Sequence, residues 1–176
     1  STPLSAVNQL RLWSIDNFGD DAVACVRGGG IFYWDESSGT ETRATNITSV
    51  SGASNAPTVA LQVLVSNVDR HVIAFGCNPI GSSTLDPLFV RFSDTESAVD
   101  WTPTATNQAG GVQLSQGSTI IGALRTRQEI LIWTDAGRLT RPLFYERLNK
   151  PSYERLFIED KIKNNKLLWS DCVMGF

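Results

Sequence analysis

Before residue 140 the sequence never holds a helical rhythm. No segment there repeats apolar residues at i, i+3, i+4 over three turns. Instead, short runs of Val, Ile, Leu and aromatics are cut by Gly, Pro, Asn and Asp. Runs of strand length bounded by turn formers predict antiparallel hairpins. This excludes a helical bundle and an α/β fold for residues 1–140.

Three hairpins are predicted. In the first, Ala22 to Arg27 leads through Gly28, Gly29 and Gly30 into Ile31, Phe32, Tyr33, Trp34 and Asp35. Glycines supply the positive φ angles of a tight turn. A phosphate cradle is not indicated, because neither a helical segment nor a lysine follows. In the second, residues 58–66 turn at Asn67, Val68, Asp69 and Arg70, and residues 71–76 return. In the third, residues 119–124 turn through Arg125, Thr126, Arg127 and Gln128, and residues 129–134 run back. Residues 88–93 read as a further strand that alternates between two faces. Residues 36–57 and 94–111 are polar and rich in turn formers, with a short strand expected near Ile47 to Val50.

Charge usage divides the chain. All four lysines, Lys150, Lys161, Lys163 and Lys166, fall after residue 149, and residues 1–140 use arginine alone. Residues 1–140 are acidic and residues 141–176 carry a small basic surplus, giving −3 overall. A β-rich segment, 1–140, is therefore expected to precede a C-terminal arm, 141–176. Ser152 could cap a helix over about 153–168 with Tyr153, Leu156, Phe157 and Ile162 on one face. The acidic balance argues against a general nucleic-acid or membrane-surface binder. No apolar stretch reaches the roughly 18–20 residues of a membrane-spanning helix. The first residues, Ser1 to Ser5, lack the basic and apolar blocks of a secretory signal. With Met174 as the one methionine, the chain is expected to be processed or a piece of a longer one.

Candidate chemistry is sparse. Cys25, Cys77 and Cys172 are far apart and form no C-x-x-C pair, so neither zinc nor a disulfide framework is indicated. They read as buried thiols in a reducing compartment. One histidine, His71, cannot build a histidine-rich metal site, and no Gly-x-Ser-x-Gly elbow accompanies it. Asp16, Asn17, Asp20 and Asp21 gather oxygen ligands, but the closing Glu of a calcium loop is missing, so the cluster reads as a solvated turn. No cofactor is indicated. Arg125, Arg127, Arg138 and Arg141 cluster around the third hairpin and its exit. They are candidates for subunit or DNA-channel contacts.

An aromatic-Ser/Thr-Asp signature recurs irregularly: Trp13-Ser14-Ile15-Asp16, Phe92-Ser93-Asp94, Trp133-Thr134-Asp135 and Trp169-Ser170-Asp171, with Trp34-Asp35 as a shortened form. Asp94 and Asp135 are 41 residues apart. That spacing suits one β-propeller blade of about 40–45 residues. Three hairpins joined by long loops would also suit a sandwich. Thr134, Asp135 and Gly137 faintly echo the Asp-box turn of sialidase-type propellers, which is structural there.

Three segments together carry a family resemblance. They are Leu10 to Asp21 with Arg27 to Asp35, then Val90 to Asp94 with Trp101 to Thr104, then Gly122 to Asp135. In this order they resemble the tail nozzle, or packaged-DNA stabilisation, proteins of short-tailed bacteriophages over about residues 8–139. The resemblance implies a structural virion protein that bears a β-propeller, made in the host cytoplasm and carried in the phage tail. It implies a homo-oligomeric ring, usually a hexamer, joined to other tail proteins, through which double-stranded DNA passes transiently. No enzymatic site and no membrane insertion are implied. Members are several-fold longer, so this chain would hold part of a propeller, and the lysine-bearing arm matches nothing in the family. An acidic channel would let DNA slide, which is the expectation set by the acidic balance of residues 1–140. Two rival readings are a glycan- or receptor-binding propeller using Tyr33 and Trp34, and a sialidase-like hydrolase.

Overall fold

The computed structural model describes residues 11–67, 69–126, 130–136 and 139–140. All belong to the unit Ser1–Leu143. The expected helical arm, 141–176, lies outside the described residues, as does Cys172.

Among the described residues, eleven strands form three antiparallel sheets in chain order. The first sheet contains β1 (Trp13–Phe18), β2 (Asp21–Val26), β3 (Ile31–Trp34) and β4 (Thr45–Asn46). The second contains β5 (Ala60–Val65), β6 (Val72–Cys77), β7 (Phe89–Phe92) and β8 (Gly110–Gln113). The third contains β9 (Ile120–Arg125), β10 (Ile130–Thr134) and β11 (Leu139–Thr140). Every strand pairs with its sequence neighbour, so each sheet is a simple meander. The all-β, antiparallel expectation holds, and the three sheets do not close into a ring.

All three predicted hairpins form, as β2–β3, β5–β6 and β9–β10. The glycine run between β2 and β3 needs its residues for different reasons. Gly28 has φ +71°, a left-handed conformation that side chains disfavour. Gly30 has an ordinary φ, but a Cβ there would sit 3.1 Å from Asn46 Nδ2. The turn also bonds to the next sheet: Gly28 N–H donates to Ala60 O at 2.8 Å, and Ala60 N–H donates to Gly29 O at 2.9 Å.

Three expectations need correction. The strand expected near Ile47 to Val50 lies just before it, at Thr45–Asn46, and Ile47–Ser49 forms a 3-10 turn capped by the Asn46 side chain. A strand, β8, lies within and just past the turn-rich stretch 94–111. The aromatic-Ser/Thr-Asp signature does not mark one equivalent position in all three sheets. Asp35 and Asp94 follow the third strands of their sheets, Asp135 follows a second strand, and Asp16 sits inside a first strand.

The main core lies between the first two sheets. Val23, Cys25 and Ile31 face Ala60, Val63, Val65, Val72 and Ala74, with Ile47 and Trp101 filling the ends. Trp101 is fully buried and its Nε1–H donates to Ala98 O at 2.9 Å, which removes the cost of burying the indole donor. Removing this side chain would cost about 3–5 kcal/mol. Every residue of β6 is buried, as expected of a central strand covered on both faces.

Candidate functional site

The first strands of the three sheets, β1, β5 and β9, are neighbours in space. They are joined by polar side chains rather than by a shared strand ladder. From β1, Ser14 Oγ accepts from Val63 N–H at 3.0 Å and Asp16 Oδ2 accepts from Val65 N–H at 2.8 Å. From β5, the Gln62 amide is bidentate to Ala123 on β9. Its Nε2–H donates to the Ala123 carbonyl at 2.8 Å, and its Oε1 accepts from the Ala123 N–H at 2.8 Å. From β9, Arg125 returns to the first sheet. Its Nη1–H donates to Asp16 Oδ2 at 2.8 Å and also to the Val65 carbonyl, and Nη2–H donates to Asp16 Oδ1 at 3.4 Å.

This clasp satisfies the free backbone edge of β5 with fixed partners. Unpaired edge groups otherwise invite pairing with another chain. Asp16 is 14% exposed and Arg125 30% exposed, so the pair is shielded more than a surface ion pair. Arg27 reinforces it by donating to the carbonyls of Ile121 and Ile120 at 3.2 and 3.4 Å.

The predicted arginine cluster therefore divides. Arg125 pairs with Asp16 and Val65 within the chain. Arg127, Arg138 and Arg141 lie outside the described residues. The Asp-rich turn also divides. Asp16 turns toward β5, whereas Asp21 accepts from the Tyr33 hydroxyl and from Glu36 N–H, the latter at 3.0 Å. Burial and the Asp21 carboxylate push the Tyr33 hydroxyl above its ordinary pKa.

Arg91 is a buried cation that sequence alternation does not single out. It is 1% exposed on β7. Its Nη2–H donates to Asn55 O and, at 3.4 Å, to Trp101 O, while Nη1–H donates to Asn78 O at 3.4 Å. The guanidinium carbon lies 5.9 Å from the Trp101 ring centroid, a cation–π contact. Burial lowers the pKa of this guanidinium from its ordinary value. The group ties together three loop carbonyls, which is a structural task.

His71 is also buried, with Nδ1 at 2.8 Å from Ser93 O. Cys25 and Cys77 are buried free thiols, and burial raises each to about 12. Such thiols are poor nucleophiles. Among the described residues, no cluster of three or more His, Cys, Asp or Glu is placed to hold a metal ion. No helix among them is long and apolar enough to cross a membrane.

Asp135 ties the end of β10 to the start of β9. It accepts from Ser118 N–H at 2.6 Å, from the Ser118 hydroxyl and from Thr119 N–H at 3.2 Å. Asp94 does similar work by accepting from Gln108 N–H at 2.8 Å. Both carboxylates serve turns.

Comparison with protein-family models, with curated proteins and with solved structures finds no match to this chain.

Proposed function

We propose that the chain is a structural, non-enzymatic part of a short-tailed phage tail nozzle, and that its sheets are an arc of a β-propeller wall. The observation that carries this reading is the clasp between β1, β5 and β9. Successive meanders whose first strands meet are what the start of a propeller requires. The sequence resemblance over residues 8–139 supplies the phage context. In this reading the chain works mechanically, as a rigid wall in a homo-oligomeric ring that double-stranded DNA passes through.

The polar side chains near the clasp are engaged in holding backbone, which favours a scaffold over a hydrolase. The first strands carry one acid, Asp16, and one base, Arg125, and these two pair. A channel lined by them is close to neutral rather than acidic. Neutral walls still let DNA slide, because they offer phosphates no cations to hold them.

One observation weighs against the glycan-binding alternative. Tyr33 and Trp34 are adjacent on β3 and so face opposite sides of the sheet. They cannot stack together on one sugar.

Antibody raised against the chain, applied to particles made from the genome that encodes it, tests the proposal. Label at the distal end of the tail in electron micrographs is expected. Purified particles without label would overturn it.

A further inference from the structure

We draw no further inference here: the strongest candidate, the exposed apolar face of the first sheet around Trp13, Ile15 and Phe32, carries nothing because nothing in the structure shows what covers it.

Discussion

Arg125 on β9 donates to Asp16 on β1 at 2.8 Å, although 109 residues separate them in the chain. The pair closes the polar clasp that holds the first strands of three sheets together. Each member also bonds the backbone of Val65. Asp16 accepts from its N–H and Arg125 donates to its carbonyl, so losing either strands a backbone group as well as a charge. Asp16→Ala and Arg125→Met are each expected to cost about 2 kcal/mol, with a coupling near 1 kcal/mol in a double-mutant cycle. Negligible costs with no coupling in urea unfolding would contradict the clasp.

Arg91 should be less replaceable than any exposed arginine. Its loss strands the carbonyls of Asn55, Asn78 and Trp101 in the interior. Arg91→Ala is expected to destabilise by about 3 kcal/mol, and Arg91→Lys by nearly as much, because an ammonium cannot span three acceptors in a fork. Arg43, an exposed residue, serves as control, and Arg43→Ala should fall within about 0.5 kcal/mol of the parent. Chemical denaturation of the three variants decides it.

Cys25 and Cys77 should resist alkylation while the chain is folded. With thiols raised to about 12 and no exposure, neither forms an accessible thiolate near neutral pH. Peptide mapping after iodoacetamide treatment at pH 8 should find both unmodified in buffer and both modified in guanidinium. Modification in buffer would show that the core between the first two sheets opens.

Asp135 should titrate unusually low. Hydrogen bonds from the Ser118 hydroxyl and from the Ser118 and Thr119 amides favour the carboxylate and bring it to about 2, from an ordinary 3.8. A depressed folded pKa means that these bonds stabilise the fold fully above the unfolded value. They are lost as pH falls through the folded one. The turn before β9 should therefore hold at pH 4 and loosen toward pH 2. Carboxyl carbon chemical shifts followed by NMR report the midpoint, and a value near 4 would show the carboxylate free.

Much of the fold was legible in the sequence, and what escaped has physical reasons. The hairpins β2–β3, β5–β6 and β9–β10 announce themselves because apolar strands meet glycine or polar turns. Strand β1 hides because its pattern is inverted. Ser14 and Asp16 point toward β5, while Trp13 and Ile15 point outward. Strand β8 hides in Gly110, Gly111, Val112 and Gln113, a weak strand former on its own. Gly111 is nonetheless required, since a Cβ there would lie 2.9 Å from Phe89 Cε1. A charged residue in an alternating strand ordinarily faces solvent, but at Arg91 β7 is covered on that face by Trp101. The clasp itself could not be read, because nothing local links Asp16, Gln62 and Arg125.

In the proposed propeller wall, β1, β5 and β9 are the strands that line the channel. A cryo-electron microscopy map of the distal tail, from particles that contain this chain, tests it most directly. The expected map has β1, β5 and β9 innermost in their sheets, with Asp16 and Arg125 paired behind the wall. A map that places these strands on the outer rim, or finds no density for the chain in the tail, would contradict it.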